Sequence, residues 1–161
     1  MLHDAKLCCI GFAGYELGAD HALDIYDISS NVWSTVTPSP DDVHGYPGAR
    51  SVHGFVGFSH ANIPSAIALL YHGERDASSL GHAGAGKFWN DVWVLQEGEE
   101  KEGNGGLQWK FISIEGESPE ARGWFPPAAF TGPDGNTKVV LHGGLLSSND
   151  RSDELWLLEL E

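Results

Sequence analysis

Glu74, Asp76 and His82 are the residues best equipped for chemistry in this chain, because two carboxylates and an imidazole within nine residues can hold a divalent metal ion. They lie in the run Glu74-Arg75-Asp76-Ala77-Ser78-Ser79-Leu80-Gly81-His82-Ala83-Gly84-Ala85-Gly86-Lys87. The plainer alternative is a pair of solvated loop acids with His82 hydrogen-bonded to a carbonyl. Gly81, Gly86 and Lys87 also fit the Gly-xxxx-Gly-Lys portion of a phosphate-binding loop. That reading fails because Phe88 stands where a magnesium-binding hydroxyl is needed and a strand-like run follows where a helix N-terminus is required. Elsewhere the chain offers less. His53 is a single imidazole, and no Ser or Cys nucleophile stands beside a partner base, so covalent catalysis is not expected. Cys8 and Cys9 are adjacent in an apolar strand, pointing to opposite faces, where a disulfide between them is geometrically poor and thiols are ordinarily inert.

Short strands must position whatever these residues do. The chain of 161 residues holds 21 glycines, eight prolines and six tryptophans, with no long stretch of helix formers, which points to an all-β class of many strands joined by turns. A formal charge of -14 repels nucleic-acid phosphates and anionic membrane surfaces, so neither is an expected partner. There is no basic start followed by a long apolar run, no membrane-spanning segment and no Asn-x-Ser/Thr acceptor, and the expected location is cytoplasmic.

The strands repeat. Pro47-Gly48-Ala49-Arg50 returns as Pro119-Glu120-Ala121-Arg122, and Tyr71-His72-Gly73-Glu74 aligns with Leu141-His142-Gly143-Gly144, which places His72 and His142 at one shared packing position. Each unit reads as a hairpin followed by a third strand: 51–58, 66–72 and 90–96 in one, then 126–130, 138–142 and 153–160 in the other, with 6–14 and 23–28 in an earlier partial copy. The expected division is 1–38 as the last three strands of one unit, 47–114 as a complete unit, and 119–161 as the first three strands of a further one. The complete unit carries a long loop, 74–89, and an acidic hairpin tip, 97–106, that has no apolar residue to anchor it and is expected to be mobile. From Gly73 to Trp93 there are seven more residues than from Gly143 to Trp156, and such an insertion on one face is where function is expected.

Tyr26 followed seven residues later by Trp33, after a run ending in Gly14, with Trp109 at that late position in the second copy, resembles a kelch repeat. With the glycine doublets and the Pro-x-Ala-Arg segments, the resemblance covers almost the whole chain. It implies a kelch-type β-propeller related to the galactose oxidase central domain, in partial form: about two and a half four-stranded blades of a six- or seven-bladed ring. A partial ring leaves apolar blade faces open to water, so the expectation is a truncated or fragmentary chain, or self-association through those faces. In such a ring the innermost strands line a channel. Arg50 and Arg122, just before those strands, are then candidates to bind an anion at its mouth, or to pack over an aromatic ring and hold the blades.

The long loop is similar, more narrowly, to the Glu-xxx-Asp-xxx-His loop of the nitrile-specifier and epithiospecifier kelch proteins, whose three residues bind ferrous iron and steer the breakdown of an unstable glucosinolate aglycone. Glu74 and His82 match the first and third ligands; Ser78 stands at the second, and Asp76 is the candidate replacement. The resemblance thus implies Fe(2+) as a cofactor. Two functional readings remain open. One is a propeller module binding a protein or small ligand at its loops or channel mouth; the other is a nitrile-specifier-like, iron-dependent protein acting on a sulfur-containing small molecule.

Overall fold

The computed structural model describes residues 2–3, 6–9 and 21–160, with the first six of these and His82 described by backbone alone. Residues 10–14 of the early partial copy lie outside the described residues. The first sheet runs β1 (Leu2–His3), β2 (Lys6–Cys9), β3 (Leu23–Asp27) and β4 (Val32–Val36) in that spatial order. The second runs β5 (Gly54–Gly57), β6 (Ala66–Tyr71), β9 (Val92–Glu97) and β10 (Leu107–Ile112), and the third runs β12 (Ala128–Thr131), β13 (Thr137–His142) and β15 (Leu155–Leu158). Two short ladders complete the described residues, β7 (Glu74–Asp76) with β8 (Lys87–Phe88) and β11 (Arg122–Gly123) with β14 (Leu145–Leu146). The protein is all-β: among the described residues every ladder between strands is antiparallel, and no sheet closes on itself.

The middle sheet is covered on both faces, which is why its central strands read as unbroken apolar runs, Ala-Ile-Ala-Leu-Leu-Tyr and Val-Trp-Val-Leu. Ala68, Leu70, Trp93 and Leu95 pack toward Leu23, Ile25 and Val36 of the first sheet. Their neighbours Leu69, Tyr71, Val92 and Val94 pack toward Val139, Leu141 and Trp156 of the third. Alternation within a strand thus assigns one face to the preceding sheet and one to the following sheet. Gly54 lies opposite Tyr71 in the ladder, and a methyl group there would stand 2.2 Å from the phenol ring. Gly54→Ala is therefore expected to lower stability by about 1–3 kcal/mol through overpacking, read as a lower urea midpoint at unchanged slope. An unchanged midpoint would show that the ring yields freely.

The ladders shift the alignment of the repeat by one residue. Tyr71 pairs with Val92 and Leu70 with Trp93, while His142 pairs with Leu155 and Leu141 with Trp156. Tyr71 therefore corresponds to His142, and the doublet His72-Gly73 to Gly143-Gly144. Backbone angles agree, since all four doublet residues have positive φ: 55° and 104° in one unit, 69° and 102° in the other. His72 and His142 are consequently not equivalent. His72 is buried in a left-handed position that glycine fills in the next unit, whereas His142 is exposed on the third sheet. A shared His-Gly dipeptide suggested the wrong register, because histidine stands at the left-handed turn position of one unit and at the last strand position of the other.

The acidic tip 97–106 is anchored, contrary to the expectation of a mobile hairpin end. Buried Asn104 accepts hydrogen bonds from the amides of Lys101 and Gly106 and donates to Glu99 O and Ser39 Oγ. The Thr37 amide also donates to Gly103 O, so the tip is fastened to the segment leaving the first sheet. The anchor is polar rather than apolar, and a hydropathy pattern does not register it. No helix among the described residues is long and apolar enough to cross a membrane.

Candidate functional site

Each Pro-x-Ala-Arg segment ends in a buried guanidinium. Arg50 is 2% exposed and Arg122 is fully buried. Arg50 donates to Gly48 O and His72 O and forms a fork with Asp91 at 2.5 and 2.8 Å, with Trp89 lying against it at 5.3 Å. Arg122 repeats the arrangement with Glu120 O, Gly143 O and Glu154. Trp93 and Trp156 donate their indole N–H groups to the same two carboxylates, Asp91 and Glu154. Each arginine thus ties the segment before the first strand of its own unit to the strand two places away. Asp91 and Glu154 were missed by sequence reasoning. The available signal was an acid two residues before each repeated Trp, in Asp91-Val92-Trp93 and Glu154-Leu155-Trp156.

The histidines near these groups are held neutral. Burial, then the charge of Arg50, pushes His53 down to about 4. Burial and Arg122 push His72 to about 4 as well, against an opposing pull from Asp91. Their Nδ1 atoms are buried without a hydrogen-bond partner among the described residues. His72 also lines an apolar cavity of about 60 Å³ between the second and third sheets.

The loop 74–88 folds as a hairpin in which β7 and β8 are joined through a 3-10 turn at Gly81–Ala83. The strand-like run 88–96 is divided between β8 and β9, with residues 89–91 outside a strand, so the phosphate-loop reading finds no helix here. Gly86 is required by close approach: a Cβ would stand 2.1 Å from Asp76 O and 2.5 Å from Glu74 Oε1. Glu74 exchanges backbone hydrogen bonds with Ser51, and its carboxyl, raised by partial burial, receives a long hydrogen bond from Ser51 Oγ. In the next unit Leu145 occupies the corresponding place opposite Gly123. Asp76 is turned to Arg75 at 2.9 Å, and Ser78 Oγ accepts from the Leu80 amide. No three His, Cys, Asp or Glu side chains converge as a metal site among the described residues, and the described donors alone do not make up the ferrous set.

The hairpin forms instead one wall of an open cleft of about 370 Å³, whose other wall comes from the third unit. Glu74 and Ser78 line the first wall; Trp124, Leu145, Asn149 and Arg151 line the second. No protein-family model matches this chain. Trp124 is 51% exposed and held at φ 58°, a conformation rare for a large side chain, by a hydrogen bond from its amide to Val52 O. Asn149 takes φ 72° in the tight return 146–150, which keeps Arg151 opposite Leu145. Arg151 has no ion pair among the described residues, in contrast to Arg50, Arg75, Arg122, Lys101, Lys110 and Lys138. The arrangement offers a donor fork, a carboxylate acceptor and an aromatic ring to one bound molecule. The sequence pointed to the Glu74 wall only. Trp124, Asn149 and Arg151 carry no motif and meet the loop through stacking of successive units.

Proposed function

We propose that this chain folds as blades of a kelch-type propeller and serves as a binding module. Its ligand is a small molecule that carries a carboxylate and a hydroxyl or ammonium group beside a flat or apolar body. The observation carrying this reading is Arg151, without an ion pair among the described residues, in one cleft with the exposed Trp124 and the half-buried Glu74. Arg151 would fork the carboxylate, Glu74 would accept from the hydroxyl or ammonium, and the indole would cover the body. Support for the propeller architecture comes from three stacked antiparallel sheets with equivalent Arg–acid–Trp clusters in two of them. The test is calorimetric titration of the folded chain with a panel of hydroxy and amino acids, beside Trp124→Ala and Arg151→Ala. Saturable binding weakened about tenfold in each variant, the equivalent of about 1.4 kcal/mol, is expected. Binding that neither variant changes, or none across the panel, would remove the cleft as the site.

A second reading keeps the loop as a ferrous-ion site of the nitrile-specifier type, acting on a sulfur-containing small molecule. In its favour is Glu74, half-buried with a raised carboxyl in the same hairpin as His82. It requires Asp76 to leave Arg75 and join them. Anaerobic titration with ferrous ion alone should then show one ion per chain, lost in both Glu74→Ala and His82→Ala; no saturable uptake by the folded chain would end this reading.

A further inference from the structure

We infer that the cleft between the second and third units takes a zwitterion, an α-amino acid with a flat aromatic side chain, whose carboxylate meets Arg151 and whose ammonium group meets Glu74. The inference rests on the reading of the cleft as a binding site and narrows its ligand. It starts from a pair of positions that the two units share. Glu74 lies opposite Phe88 in the second unit, and Leu145 lies opposite Arg151 in the third. The next hydrogen bonds establish the equivalence, since the amides of Trp89 and Ser152 donate to Gly73 O and Gly144 O. Each unit thus sets one charged residue against one apolar residue, with the charges on opposite strands and of opposite sign. Neither charge finds a counterpart within its own pair. Stacking of the units brings both into one cleft of about 370 Å³, yet they stand more than 4.0 Å apart and form no ion pair with each other. A bound molecule has to bridge them, and a zwitterion presents both complementary charges on neighbouring atoms.

Glu74 favours an ammonium over a hydroxyl as its partner. Its carboxylate is half-buried beside Ser51 Oγ and Gly86, and no cation is paired with it among the described residues. A hydroxyl would leave that charge uncompensated, whereas an ammonium group compensates it through charge-assisted hydrogen bonds. The carboxyl is raised by that burial, as expected of an acid lacking a cation. The overall charge of -14 acts in the same sense, because it repels the anion of a hydroxy acid and leaves a neutral zwitterion nearly unaffected at long range. The other walls set the body of the ligand. Trp124 takes the left-handed position, φ 58°, that Val52 takes at 47° in the preceding unit, so an indole stands where that unit has an aliphatic side chain. On the hairpin wall Ala77, Gly81 and Gly84 are small and leave room for a ring to stack on the indole. Ser78 Oγ accepts from the Leu80 amide and keeps its own proton to donate to the ligand carboxylate.

The test is calorimetric titration of the folded full chain with L-phenylalanine and L-tryptophan, each beside its hydroxy acid (phenyllactate, indolelactate) and its amine (phenethylamine, tryptamine). The amino acids are expected to bind about tenfold or more tightly than either analogue. Glu74→Gln should bring the amino acids down to the level of the hydroxy acids, and Arg151→Gln should bring them down to the level of the amines. Glu74→Leu, which places the third unit's residue at this position, serves if Glu74→Gln does not fold. Hydroxy acids that bind as tightly as the amino acids would overturn the zwitterion and leave the cleft a site for carboxylates. An amino-acid advantage that survives the Glu74 variants would overturn Glu74 as the ammonium acceptor. Binding by none of the six would overturn the inference, and the wider panel of hydroxy and amino acids then decides whether the cleft binds at all.

Discussion

Replacing Arg50 with alanine is expected to lower stability by about 3–5 kcal/mol, the largest effect of any single substitution considered. Asp91, only 14% exposed, would lose both arms of its fork and keep the Trp93 indole as a donor, leaving a poorly compensated charge in the interior. The carbonyls of Gly48 and His72 would lose a donor at the same time, and the guanidinium would no longer cover Trp89. Arg50→Lys should recover little, because a point charge cannot reproduce the fork and the two carbonyl bonds together. Arg122→Ala should cost less. Its partner Glu154 is 50% exposed, so water can take up the carboxylate that the Arg122 hydrogen bond holds below its ordinary range. Urea unfolding of the three variants decides the matter: near-equal losses at the two arginines, or a small loss at Arg50, would show that solvent reaches Asp91 far more easily than its burial implies.

Acidification from pH 7 to pH 4 is expected to remove up to about 3 kcal/mol for each of His53 and His72, following from a difference of about 2.5 pH units. Both are neutral in the native chain down to about pH 4, whereas in the unfolded chain they take up protons near 6.5. Between those values the unfolded state binds more protons. Stability is therefore complete above 6.5 and falls as pH drops through the window. Arg50 and Arg122 deepen the effect by repelling a second positive charge, and Asp91 moderates it at His72. Glu74 acts in the opposite direction from about 4.5 upward, within the same window, since its raised carboxyl takes up a proton in the native chain before the unfolded one. Asp41 follows the usual carboxylate sense. Burial would raise it, but hydrogen bonds from the His44 and Val43 amides prevail, and stability is lost again when it protonates in strong acid. Denaturation midpoints measured across this range should fall steeply, and the slope should flatten in His53→Gln and His72→Asn. Asparagine suits position 72 because it tolerates positive φ and does not titrate. A slope unchanged in both variants would place the titrating groups elsewhere.

Strand-forming runs were legible where packing on both faces imposes a continuous apolar sequence, as in Ala66–Tyr71 and Val92–Glu97. The register of the repeat was not. His72 and His142 share a neighbour in glycine, but only the ladder reveals that one fills a left-handed turn and the other a strand. The candidate site was half legible, since Glu74 and Ser78 belong to one conspicuous loop, whereas Trp124, Asn149 and Arg151 lie far along the chain in the next unit.

The sequence alone determined the all-β class, the repeating unit and the acidic surface, because these depend on composition and on local periodicity that neighbouring residues already express. Tertiary structure decided which carboxylates receive the buried arginines, which histidines stay neutral, and which side chains share the cleft. Those outcomes depend on distances between segments tens of residues apart, set when one sheet stacks on the next, and short-range sequence patterns do not encode them.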